Sequence, residues 1–191
     1  MTPENKKIII RIAVFGFGYA VFIGWLLPYF DVSNIRPDVR SLDIRTSYSP
    51  EDVRNLFNLI GYSGMQQYLK FIIADNFYIL IYCILAYFIL AFSEQNSGRL
   101  GTFLKGIRWL PFIVGLTDLT ENINTLILIR RFPEISQKAV SFGSALTTSK
   151  WYEASVLAGL IICLIFYMVV RNLLWRLQHP AHKLSDHETQ S

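Results

Sequence analysis

Long apolar runs alternate with short polar connections along this chain. Four runs of about 20 largely apolar residues, the length at which a helix crosses a bilayer core, occupy 8–30, 68–92, 109–129 and 151–170. The pattern predicts an all-α integral membrane protein, a bundle of four transmembrane helices. Residues 1–176 form a single membrane domain in this reading, and 177–191 a flexible polar tail.

The connection from 31 to 67 carries a helix signal of its own. Ser49-Pro50-Glu51-Asp52 combines an N-cap serine, a proline at the first helical position and acids in the first turn. Val53, Leu56, Phe57 and Ile60 then recur at i, i+3, i+4 and i+7, and Gly61 supplies a stop. These positions predict a short amphipathic helix over 50–60, packed on the bundle mouth or lying in the interface. A second short helix is expected over 133–142, closed by Gly143. Small residues recur every four positions at Gly16, Ala20 and Gly24, and again at Ala154 and Ala158 beside Ser155 and Gly159. Such spacing lets membrane helices approach closely, within one chain or in a homo-oligomer.

Composition supports the hydropathy pattern: 52% of the 191 residues are hydrophobic, and the mean hydropathy is +0.35. The net charge of +4 does not point to nucleic acid, because Lys and Arg cluster at the ends of the apolar runs, where they anchor helices in headgroups. Trp25, Trp109, Trp151 and Trp175 at the same ends read as aromatic-belt anchors. The first run follows Lys6, Lys7 and Arg11 but ends in Trp25-Leu-Leu-Pro28-Tyr29-Phe30, not in a small-residue cleavage site, so a retained helix is expected. Four spans put both termini on one side. Lys6, Lys7, Arg11, Arg99, Lys105, Arg108, Arg171, Arg176 and Lys183 lie on that side. The other side mixes its basic residues with acids, so both termini are expected in the cytoplasm of a multi-pass cell-membrane protein. Cys83 and Cys163 fall at similar depths in the second and fourth runs, where a contact between free thiols is conceivable.

The third run holds the candidate chemistry. Asp118, Glu121, Asn122 and Thr125 fall at i, i+3, i+4 and i+7 and form one polar stripe. A charged side chain at the centre of an inserted helix costs about 2.5–3.5 kcal/mol, so the stripe must face the bundle interior. The second run adds Asp75 and Asn76, with Tyr78 and Tyr82 near the Asp75 face. Helical rise puts Asp75 about 10 Å, Asn122 about 12 Å, Glu121 about 14 Å and Asp118 about 18 Å below the outer surface. Lys150 starts the fourth run at that surface, able to reach outward or to turn in towards Asp75, while Glu153 faces water or pairs with it. Three interior acids against one candidate cation require protonation or a further cation to complete the site.

Asp75, Asp118 and Glu121 are thus the candidate acid/base groups. Asp75, Asn76, Tyr78, Asp118, Glu121, Asn122, Thr125 and Lys150 are the candidate ligand contacts. No metal site is expected, since His179, His182 and His187 lie in the polar tail, and no motif identifies a cofactor. The layout is similar to that of sterol-isomerase-like membrane proteins, a likeness that carries no residue across. The leading expectation is a pocket, open to the outer half of the membrane, for a lipid or a small amphiphilic or cationic ligand. The alternatives are an intramembrane acid/base enzyme acting on a lipid or isoprenoid, and proton or cation translocation by an oligomer.

Overall fold

A computed structural model describes residues 2–98 and 100–178, apart from the side chain of Arg176. Arg99, Lys183, His179, His182 and His187, with nearly all of the expected tail, lie outside the described residues. Every element described is helical. Helix α1 (Pro3–Val21) continues through a π turn (Phe22–Leu26) into α2 (Leu27–Phe30). A 3-10 turn (Val32–Asn34) then opens an irregular connection. Helices α3 (Pro50–Asn96), α4 (Leu100–Ile107), α5 (Leu110–Arg131) and α6 (Gln137–Gln178) follow. Four stretches are long and apolar enough to cross a membrane: Pro3–Phe30, Pro50–Asn96, Leu100–Arg131 and Gln137–Trp175.

Local chemistry explains where these helices begin and bend. Ser49 Oγ accepts the Asp52 N–H, and Asp52 Oδ2 accepts the Ser49 N–H at 2.7 Å, a reciprocal cap on α3. This hydrogen bonding holds the Asp52 carboxyl below its ordinary value. Gly61 sits at φ 60°, ψ −169°, a conformation open to glycine, and divides α3 into a short first arm and a long second one. Pro28 has no N–H to give the fourth carbonyl before it. The preceding turn widens instead, and the Leu27 N–H reaches the Phe22 carbonyl.

The first arm of α3 is a cap packed on the bundle. Val53, Leu56, Phe57 and Ile60 are buried together with Val32, Val39 and Leu42 of the connection and Leu128 and Val140 of α5 and α6. This end is called the capped end below. Nearer the other end a second core joins Leu90, Leu104, Val114 and Leu164. There Arg108 pairs with Glu94 at 3.1 Å.

Around the bundle, α1 packs on α3, α3 on α5 and α5 on α6, and α6 also touches α3; α1 and α6 make no substantial contact. Gly16 and Gly18 face Leu85 and Ile81 of α3, whereas Gly24 meets open space. Gly115 of α5 lies directly against Cys83. The Cys83 thiol is buried and donates to the Pro111 carbonyl at 3.0 Å, while Cys163 is exposed. The two thiols therefore face different surroundings and are not partners.

The expected helix over 133–142 does not close at Gly143. Helix α6 starts at Gln137 and runs through Gly143 without a break. The glycine serves packing instead, since a Cβ there would collide with Asn124 of α5 and Tyr48 of the connection. Gly143→Ala is accordingly expected to destabilise the protein by about 1–3 kcal/mol despite the better helix propensity of alanine. Gly159, with nothing near its Cβ position, is the control: Gly159→Ala should leave the melting temperature unchanged or slightly raised. Thermal unfolding of both variants in detergent micelles checks the pair.

Candidate functional site

Helix α5 presents its polar stripe inward, as its spacing requires. Asp118, Glu121, Asn122 and Thr125 are all buried, Glu121 to 0% exposure. Two residues of α6 one turn apart, Thr147 and Lys150, meet the stripe. The Lys150 ammonium lies 3.3 Å from Asp118 Oδ1 and forms a close ion pair with Glu121 Oε2. The Thr147 hydroxyl hydrogen-bonds Glu121, with the Gly143 carbonyl as a second acceptor at 3.0 Å. Lys150 thus turns inward, but its partners are Asp118 and Glu121. Asp75 and Glu153 are not its ion-pair partners.

Helix α3 closes the other side. Tyr82 donates its hydroxyl to Asp118 Oδ2 at 3.1 Å. Asn122 donates through one amide nitrogen to Asp75 Oδ2 and to Asn76 Oδ1, each at 2.8 Å. One ion-pair network therefore joins α5, α6 and α3 through Glu121, Lys150, Asp118 and Tyr82. A second network joins α3 and α5 through Asp75, Asn122 and Asn76.

The connection between α2 and α3 supplies a roof. Tyr68 accepts the Leu42 N–H at 2.8 Å and donates to Asp43 Oδ1 at 3.4 Å. Trp151 donates its indole N–H to the Asp43 carbonyl at 3.2 Å, so this residue is a structural partner of the roof and not simply a belt anchor. Tyr48 donates its backbone N–H to Ser144 Oγ at 2.9 Å. Burial pushes the Tyr48 hydroxyl up to about 12. Burial likewise raises the Asp43 carboxyl above its ordinary 3.8, outweighing the opposite pull of Lys150.

Between α1 and α6, with α3 as its floor, lies a cavity of about 900 Å³. At the capped end Asp31, Asp43, Asp75, Asp118 and Lys150 line it, among the apolar Leu27, Ile44 and Phe71. Tyr19, Tyr78 and Tyr82 line it next. Further along, Leu85, Ile89, Leu157, Ile161 and Ile162 make it apolar. Ala154, Ser155 and Ala158 also line it, so small residues of α6 widen this groove.

Of the expected ligand contacts, Asp75, Tyr78, Asp118 and Lys150 reach this cavity. Asn76, Glu121, Asn122 and Thr125 do not line it; behind its wall Asn122 holds Asp75 and Glu121 holds Lys150. Asp31, Asp43, Tyr19 and Trp151 also line the cavity, and none of these was a candidate site residue in the sequence. Asp43 carried a usable signal, since it sits between Leu42 and Ile44 in a connection otherwise taken as polar. Among the described residues no group of three or more His, Cys, Asp or Glu side chains is arranged to hold a metal ion. Comparison with protein-family models, with curated proteins and with solved structures finds no match to this chain.

Two outcomes are expected here. Lys150→Met leaves two buried carboxylates without their cation and should cost about 3–5 kcal/mol, much of it recovered when Asp118→Asn and Glu121→Gln are added. Unfolding of the single and triple variants in detergent decides it. The raised Asp43 carboxyl favours folding only in its protonated form, a contribution complete below 3.8 and lost as the pH rises through its folded-state value. Asp43→Asn should therefore raise the melting temperature at pH 7, and the gain should shrink as the pH falls towards 4.

Proposed function

We propose that this chain is a multi-pass membrane protein whose groove between α1 and α6 binds a lipid or a small amphiphilic ligand from the bilayer. The exposed surface supports insertion. Only 6% of the most apolar window of Pro3–Phe30 and 11% of that of Gln137–Trp175 is buried inside the protein. Phe17, Phe77, Leu116, Val156 and Phe166 point outward. Apolar area on this scale is stable in contact with lipid and not with water. Lys6, Lys7, Arg11, Lys105, Arg108 and Arg171 flank the uncapped end, which by charge faces the cytoplasm together with both termini.

The graded groove is the observation that carries the ligand assignment. Its polar end lies under the roof, beside the Lys150 ion pairs, and its apolar end extends along α3 and α6. From Lys150 to Ile161 the helix rises about 17 Å, room for a medium-length hydrocarbon chain beneath a polar head. The absence of substantial contact between α1 and α6 leaves the groove a lateral opening towards the bilayer. A chain can thus slide in sideways while its head reaches the buried acids.

Filling the groove tests this. Ala158 lines the cavity, and Ala158→Trp places a large side chain in the apolar arm. Wild-type protein purified in mild detergent is expected to carry a chain-bearing amphiphile near equimolar ratio, detected by mass spectrometry of an organic extract. The Ala158→Trp variant should carry at least tenfold less. Equal amounts in both would sink the groove assignment.

A further inference from the structure

The charges facing the groove are unbalanced in a way that specifies its ligand. Four carboxylates, Asp31, Asp43, Asp75 and Asp118, share the lining with one ammonium, that of Lys150. Lys150 is already engaged by Asp118 and by Glu121, which stands behind the wall. Asp75 has no basic side chain within ion-pair distance among the described residues. It is 8% exposed, and one carboxylate oxygen is held by Asn122. The other oxygen has no partner among the described residues, and the residue lines the cavity. A nearly buried carboxylate with a free acceptor is relieved by a proton or by a cation placed in the groove.

The wall beside Asp75 suits one kind of cation. Tyr78 and Tyr82 follow Asp75 along the same face of α3, and Tyr19 of α1 stands against them. The ring centroids are 5.4 Å apart from Tyr19 to Tyr78 and again 5.4 Å from Tyr78 to Tyr82. Tyr82 is further fixed by its hydrogen bond to Asp118. Aromatic faces beside a carboxylate attract ammonium groups, and poorly hydrated ones most. Among the described residues no group of three or more His, Cys, Asp or Glu side chains is arranged for a compact metal ion. An anionic head would be repelled by the same lining.

We infer that the groove takes an amphiphilic cation, an ammonium head on a single hydrocarbon chain. The head rests between Asp75 and the Tyr19–Tyr78–Tyr82 wall, and the chain runs towards Ile161. This rests on the groove assignment above and adds the charge and the orientation of its occupant.

The test uses two probes with the same chain, tritiated dodecyltrimethylammonium and tritiated 1-dodecanol. Equilibrium binding to the purified full-length protein in maltoside micelles is measured, with Ala158→Trp as the background for each probe. Dodecyltrimethylammonium should bind at least tenfold more tightly than dodecanol. Asp75→Asn should reduce that preference to about twofold while leaving dodecanol binding unchanged. Tyr78→Leu should weaken ammonium binding at least threefold, and it carries the test if Asp75→Asn does not fold. Equal affinity for the two probes, both abolished by Ala158→Trp, would overturn the cationic head and leave the groove standing. An ammonium preference that persists in both Asp75→Asn and Tyr78→Leu would also overturn the seat. If neither probe binds above background, the groove assignment and the cationic head fall together.

Discussion

The Lys150 ammonium, held between Asp118 and Glu121, is the constraint on which the rest of the structure depends. Each of these charges would cost several kcal/mol to desolvate alone, and together they are tolerable only in contact. Contact fixes the register of α6 against α5, because a helix shifted by one residue turns each side chain by about 100°. With Lys150 pinned inward, Thr147 must face Glu121, and Ala154 and Ala158 must face the same side about one and two turns along. The polar cluster therefore determines which small residues line the groove.

Helix α1 is under no comparable constraint, and this asymmetry creates the groove. It meets α3 through Gly16 and Gly18 against Leu85 and Ile81, contacts that allow close approach without buried charge. It makes no substantial contact with α6. Near the capped end the π turn before Pro28 alters its helical phase, and the chain then crosses over as the roof. Three helices are thus joined by buried charged and polar side chains, the fourth leans on one of them through largely apolar packing with a peripheral Asn5–Asn96 hydrogen bond, and the space left over runs from a mixed, charged end to an apolar one.

Periodicity reveals which face of a helix is polar, but not which other helix that face will meet. The stripe from Asp118 to Thr125 was legible because its four positions share one face, and all four are buried. The cap at Ser49 and the break at Gly61 were legible because both are local, decided by residues within one turn. The partners of Lys150 were not, since Asp75, Asp118 and Glu121 all lay within its reach by depth alone, and only the order of helices decides among them. Gly143 misled for a related reason. A glycine after a helical run reads as a stop, yet this one is required by Tyr48 and Asn124, neighbours distant in sequence. Asp43 escaped notice because a charged residue in a polar connection is usually solvated; its apolar neighbours Leu42 and Ile44 hint at burial, but not at Tyr68 and Trp151, which the fold brings against it.

The site consists of two layers with different physical duties. Glu121, Asn122 and Thr147 make their bonds within the protein and do not line the cavity, so their contribution is to packing and register. Asp75 and Asp118 belong to both layers: one oxygen of each accepts from the protein, from Asn122 and Tyr82 respectively, while the residue also lines the cavity. Asp118 differs from Asp75 in having Lys150, which it shares with Glu121, at its second oxygen. Asp75 is held in place by a neutral amide, which orients the carboxylate without neutralising it. An acid positioned this firmly and left uncompensated is costly to the fold alone. A positive group entering the groove, the occupant proposed above, would offset that cost, and its binding would then add to the stability of the bundle.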